Sequence, residues 1–236
     1  MNISNKRMLL FTAMAMQVAS VQAQGDAYAL LKKVRDANAN KPISYEYKVC
    51  KRYVPTGKIL DCINGRLYQQ GSDYLDSNNY YISSVRKGYY CKLDFKERSA
   101  IIFDADEFRK QMGIETNGTS GVIAFPDSII KKYGQIKLSK TGQGNYKIEL
   151  TLGAPYDMTS VLDVDKASLL VRAVKIISKM NGTDNQQTEQ VYEMMQFNYV
   201  FDNRAMDHQR FYKVQADKTI VLTGRFAGFK LNTLTK

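Results

Sequence analysis

Between Asp26 and Ala39 the apolar residues Tyr28, Leu30, Leu31, Val34 and Ala37 recur at spacings of three and four, with Lys32, Lys33, Arg35 and Asp36 between them. That period predicts a helix with one dry face, and Asn38-Ala39-Asn40-Lys41-Pro42 ends it. From Ile43 the period becomes two. Ile43, Tyr45, Tyr47 and Val49 point one way and Ser44, Glu46 and Lys48 the other, as a strand with one buried face requires. Pro55-Thr56-Gly57 then reads as a tight hairpin loop with Gly57 in the left-handed region. Folding about Thr56 sets Tyr45 opposite Leu67, Glu46 opposite Arg66, Val49 opposite Ile63, Cys50 opposite Cys62, Lys51 opposite Asp61 and Tyr53 opposite Ile59. A slip of one residue would put Ile63 and Leu67 on the wrong face and separate both charge pairs, so the register is specified.

Alternation continues through Tyr80 to Arg86, Tyr89 to Lys96 and Ser99 to Phe103, joined by Lys87-Gly88 and Glu97-Arg98. Asp104 with Glu107 three residues on has the form of a capping box for a short helix through Met112. A second short helix is signalled by Pro126 at its start and Gly134 past its end, with Ile129, Ile130 and Tyr133 as its apolar stripe. Strands resume at Ile136 and Leu138, at Tyr146 to Leu152, and as a long pair from Leu169 to Met180 and Thr188 to Phe201. Short strands are expected at Phe211 to Val214, Thr219 to Leu222 and Phe229 to Leu231. Short connections and the lack of repeating strand-helix-strand units predict a largely antiparallel sheet in a single domain spanning residues 24–236.

The first 23 residues stand apart. Asn5-Lys6-Arg7 is a basic start, Met8 to Met16 an apolar run, and Val21-Gln22-Ala23 a small-residue exit: the pattern of a cleavable secretory signal. The apolar run is too short for the ~20 residues a spanning helix needs, and the first cysteine after it is Cys50, far from the cleavage point. The expected product is a soluble exported protein, periplasmic in location. Loss of Lys6 and Arg7 lowers the formal charge from +11 to +9, since residues 1–23 hold no acid. Positive charge concentrates between Leu31 and Lys58 and again from Arg204 to Lys236, which favours acidic partners such as lipid head groups. Nucleic acid is not expected in that compartment.

Opposed Cys50 and Cys62 predict a disulfide in an oxidising compartment, a staple for the hairpin. Cys91 alternates with Tyr89, Leu93 and Phe95 and reads as a small buried hydrophobe. His208 is the one histidine in the chain, so neither an imidazole triad nor a histidine-based metal centre has the residues it needs. No phosphate-cradling glycine loop is present, since Gly142-Gln143-Gly144 joins two strands. The expectation is therefore a protein that is not an enzyme and carries no cofactor or metal. Tyr45, Tyr47, Val49, Leu67, Leu93, Phe95, Ile148, Leu150, Phe197 and Tyr199 are the candidate apolar lining of a concave interior; a filled core fits the same spacing.

The order of elements carries a resemblance. A helix, a strand, a hairpin with Gly65-Arg66-Leu67-Tyr68 on its second strand and a meander ending in Ile101-Ile102-Phe103-Asp104 resembles the bacterial lipoprotein-localisation fold, that of the periplasmic lipoprotein carrier and its relatives. Leu162-Asp163 through Leu169-Leu170, then Asn181-Gly182 and Phe197-Asn198-Tyr199, are similar to that family's late strands. The resemblance implies an α+β chain: a curved antiparallel half-barrel of roughly eleven strands with an N-terminal helix and short lid helices, whose apolar inner face holds acyl chains. It implies no catalytic residues. The expected function is binding of a lipid, or the acyl chain of a lipoprotein, by an envelope carrier or sensor, with an anionic membrane surface or an envelope protein as further partner. The alternative is a structural component of an envelope assembly with a filled core and no ligand.

Overall fold

The computed structural model describes residues 25–39, 41–112, 127–141, 144–181 and 187–233. The signal-like segment, Pro126 and most of the turn after Asn181 lie outside them. Residues 25–38 form helix α1. The chain then runs through β1 (Ile43–Tyr53), β2 (Lys58–Gln70), β3 (Asp73–Asn78), β4 (Tyr81–Arg86), β5 (Tyr89–Asp94) and β6 (Ser99–Asp104) to α2 (Ala105–Met112). After α3 (Asp127–Tyr133) come β7 (Gly134–Lys140), β8 (Tyr146–Leu152), β9 (Met158–Val164), β10 (Val171–Asn181) and β11 (Gln187–Asn198). A C-terminal segment adds the short hairpin β12 (Tyr212–Val214) and β13 (Ile220–Leu222), 3-10 turns, and β14 (Lys230–Thr233).

Among the described residues all strands except β12 and β13 join one open, twelve-stranded sheet in the order β14-β6-β5-β4-β3-β2-β1-β11-β10-β9-β8-β7. The pairing of β1 with β11 unites two consecutive meanders, and among the described residues only the β14–β6 pair is parallel. This is the expected half-barrel with lid helices, with one strand more at its edge. Among the described residues no helix is long and apolar enough to cross a membrane.

The β1–β2 register follows the predicted pairs from Tyr45 opposite Leu67 to Lys51 opposite Asp61. Beyond Lys51 a bulge shifts it, so that Tyr53 faces Lys58 rather than Ile59. The turn is one residue longer than predicted: the Gly57 N–H reaches the Tyr53 carbonyl at 2.8 Å, with Gly57 at φ +68°. Arg66 pairs with Glu46 across the strands, and Cys50 and Cys62 form the disulfide. Asp104 caps α2, accepting from the N–H groups of Asp106 at 2.8 Å and Glu107 at 3.1 Å.

Two strands escape the sequence pattern. Asp73–Asn78 carries Asp76 and Asn78 on one face and Ser77 on the other, which blurs the alternation. Met158–Val164 lies outside the strands read from alternation, although the resemblance set Leu162-Asp163 among the late strands and Ser160, Leu162 and Val164 alternate as buried positions.

The core is divided between the two faces. On one face α1 and α3 cover β7–β10, enclosing Leu31, Val34, Ile130, Ile148, Leu150, Leu162, Val164 and Val171. On the other, the C-terminal segment covers β3–β6, enclosing Leu75, Ile82, Cys91, Leu93, Ile102, Phe211, Tyr212 and Phe226. The sheet thus exchanges its apolar face between its halves. Where α1 ends, Asn38 ties the first cover down: its Nδ2 donates to the carbonyls of Val34 at 2.6 Å and Leu169 at 2.9 Å, and its Oδ1 accepts from the Val171 N–H at 3.3 Å. Arg35 pairs with Asp127, joining α1 to α3.

Candidate ligand-binding site

On the helix-bearing face, cross-strand pairing lines side chains up in transverse rows, because directly opposed residues share a face. One row runs Ile63, Val49, Tyr192, Ile176, Ser160, Leu150, Ile136. The next runs Gly65, Tyr47, Met194, Val174, Leu162, Ile148, Leu138. Beside them Leu67 faces Tyr45, whose ring stacks on Phe197 at 5.0 Å between centroids. The rows are buried where α1 and α3 lie on them: Ile148 is 0 %, Leu150 1 % and Leu162 1 % exposed. Toward β1, β2 and β11 the same rows are only half-buried at Tyr45, Tyr47, Val49, Ile63, Leu67, Tyr192, Met194 and Phe197. Among the described residues an apolar floor therefore continues past the edge of its cover.

A polar cluster borders this floor. Tyr47 folds its ring over Gly65, where a Cβ would collide with it, and its hydroxyl donates to Asp76 Oδ1 at 2.6 Å. Tyr81 donates to Asp76 Oδ2 at 3.2 Å, and Asn78 Nδ2 donates to the Tyr47 hydroxyl at 3.1 Å. Burial holds the Asp76 carboxyl above its ordinary range, against the lowering pull of the two tyrosine donors. Burial also raises the Tyr45 phenol to about 12. These groups offer hydrogen bonds at one end of an otherwise apolar surface, an arrangement that orients a ligand with one polar end.

Of the predicted lining residues, the structure gathers Tyr45, Tyr47, Val49, Leu67, Ile148, Leu150 and Phe197 on this face. Ile148 and Leu150 lie under the helices rather than on the open floor. Tyr199 sits past the end of β11, its hydroxyl 2.5 Å from Asn38 Oδ1 and 2.9 Å from the Val171 carbonyl, and serves the α1 clamp. Leu93 and Phe95 depart from the expectation. Leu93 opposes Ile82 and Ala100 on the other face, and Phe95 lies beside Phe226 at 6.4 Å, both beneath the C-terminal segment. The alternation on β5 is as read; its apolar side meets a different cover. Sequence reasoning missed Asp76, which lies on an unrecognised strand. Ile63 was already paired with Val49, and Tyr192 and Met194 alternate on β11, so the rest of the floor had a signal.

Cys91 is fully buried, and burial pushes its thiol up to about 12. His208 packs against Tyr212 at 5.3 Å between ring centroids, and burial lowers its pKa. Among the described residues no three His, Cys, Asp or Glu side chains converge as a metal site.

No protein-family model matches the chain, and no curated protein matches it in sequence. Solved structures do. The chain is similar in structure to LolA superfamily proteins. One, from Nitrosomonas europaea, has a TM-score of 0.35 and 8 % identity over 77 % of this chain and 97 % of its own. MucB has a TM-score of 0.45 and 11 % identity over 78 % of this chain, which spans 62 % of MucB's length. A conserved protein of Thermus thermophilus has a TM-score of 0.44 and 8 % identity over 88 % of this chain and 99 % of its own.

Proposed function

We propose that the protein is an exported component of the cell envelope that holds a lipid, or the acyl chain of an acylated ligand, on the helix-bearing face of its half-barrel. The observation that carries this reading is the apolar floor of Val49, Ile63, Leu67, Tyr192 and Met194, continuous with the core yet half-open beyond α1 and α3. Each methylene laid on it contributes about 0.8 kcal/mol, so part of an acyl chain suffices for useful affinity. The Tyr47–Asp76–Tyr81 cluster would meet a polar end. The signal-like N-terminus and the basic surface support a place beside anionic membranes, and the protein would act by binding, without catalysis or cofactor.

The test is organic extraction of the purified full chain, mass spectrometry of the extract, and uptake of a fluorescent fatty acid. Co-purifying lipid, and uptake weakened at least fivefold by Val49→Lys, are expected. An extract free of lipid combined with no uptake by the native protein would reject the carrier reading. The second reading, a structural component with a filled interior docking an envelope protein, is favoured by the dense packing of Leu31 and Val34 onto β8–β10. It predicts the negative result in both assays.

A further inference from the structure

The opposite face carries a cavity of its own. Between β2–β4 and the C-terminal segment lies a space of about 620 Å³ lined by Leu75, Ile82, Phe211 and Phe226 together with Arg210 and Arg225. A second space of about 470 Å³ shares its wall at Arg66, Tyr68 and Ala205. The floor is apolar and buried: Leu75 is 5 %, Ile82 3 %, Phe211 6 % and Phe226 3 % exposed. The exposed side chains of Arg210 and Arg225 stand on the rim.

Charge in this groove is one-sided. Arg66 is matched by Glu46, and in the adjoining space Asp202 is matched by Arg204. Arg210 and Arg225 make no ion pair among the described residues. Arg225 stacks instead over the rings of Phe226 at 4.9 Å and Phe95 at 5.6 Å, and Arg210 lies 6.0 Å from the Phe211 ring. Stacking holds a guanidinium in place while leaving its N–H fork free, so little freedom is lost when it grips an oxyanion. Among the described residues the larger cavity has no carboxylate in its wall, and its volume lies in the ~300–1,000 Å³ range of small-molecule sites.

We infer that this groove is a second binding site, for a phosphate or similar oxyanion carried on an apolar body, with Arg210 and Arg225 holding the anion and Leu75, Ile82, Phe211 and Phe226 receiving the body. The site lies on the face away from the proposed acyl floor and does not depend on what occupies that floor. Phospholipid head groups and soluble aryl phosphates share this chemistry.

Calorimetry on the full chain with 2-naphthyl phosphate and dodecyl phosphate tests it. At least one is expected to bind with a micromolar Kd, and 2-naphthol, which keeps the ring but lacks the anion, at least tenfold more weakly than naphthyl phosphate. Arg210→Gln with Arg225→Gln is expected to weaken phosphate binding at least tenfold. Lys137→Gln with Lys140→Gln removes the same charge from edge strand β7 and is expected to change it less than twofold. The tighter of the two phosphates identifies the source, acyl lipid or soluble aryl ligand, and either supports the site. Absence of submillimolar binding by both, equal binding of 2-naphthol, or equal loss in the lysine pair would overturn it. The naphthol comparison uses the native protein, so it decides even if the arginine pair fails to fold.

Discussion

Leu31→Ala measures how firmly α1 closes its end of the half-barrel. Leu31 is 3 % exposed and packs in one cluster with Ile148, Leu150, Leu162, Val164 and Val171. Removing three carbons costs about 2.4 kcal/mol in transfer free energy. Its neighbours on β8–β10 are held by ladder hydrogen bonds on both sides and cannot close in on the void. An unrelaxed cavity adds about 24 cal/mol per Å³, so a void on the order of 60 Å³ adds about 1.4 kcal/mol. The expected total is about 4 kcal/mol, which for a domain of this size lowers Tm by about 8–15 °C. Urea unfolding followed by far-UV circular dichroism gives the value. Leu30→Ala, a half-buried neighbour on the same helix, is the comparison and should cost less than about 1.5 kcal/mol. A Leu31→Ala loss below about 1 kcal/mol, or equal losses at the two positions, would show that α1 is not packed as a fixed lid.

Other perturbations separate the remaining contributions. Replacing Cys50 and Cys62 together by Ala removes a cross-link spanning a sequence separation of 12 and should cost at most about 3 kcal/mol by urea midpoint, with the hairpin still formed; loss of folding would mean the disulfide does more than restrain the unfolded chain. Gly134→Ala places a Cβ 2.5 Å from the Ile130 carbonyl oxygen, where backbone of α3 cannot yield, and should destabilise by about 1–3 kcal/mol; a neutral effect would refute that close approach. The Arg35 hydrogen bond holds the Asp127 carboxyl below its ordinary range, so its stabilising share is present above the unfolded-state pKa and lost as pH falls through the folded value. Stability should therefore fall less between pH 5 and pH 3 in Asp127→Asn than in the native chain, and parallel curves would exclude the linkage. Asp76 has the opposite sign, its pKa being raised, so its share declines as pH rises through the folded value.

Local chemistry made much of this chain legible in advance. The 3.6-residue period of α1, the Glu46–Arg66 and Cys50–Cys62 oppositions of the first hairpin, the Asp104 cap and the alternation of β5 and β8 each follow from neighbours in sequence, where side-chain periodicity and register act directly. Asp73–Asn78 stayed hidden because polar residues occupy both its faces, and the bulge after Lys51 because one extra residue leaves no mark on composition.

Which side of the sheet each apolar row meets was decided only by tertiary structure. Leu93 and Ile148 both sit on well-patterned strands, yet Leu93 lies under Phe226 and its neighbours while Ile148 lies under α1. A strand's alternation specifies that one face is dry; it carries no information about which distant segment covers that face. That depended on residues more than a hundred positions away packing back onto the sheet. The same long-range packing left the Val49–Tyr192 floor only half-buried and placed Arg210 and Arg225 over the opposite face.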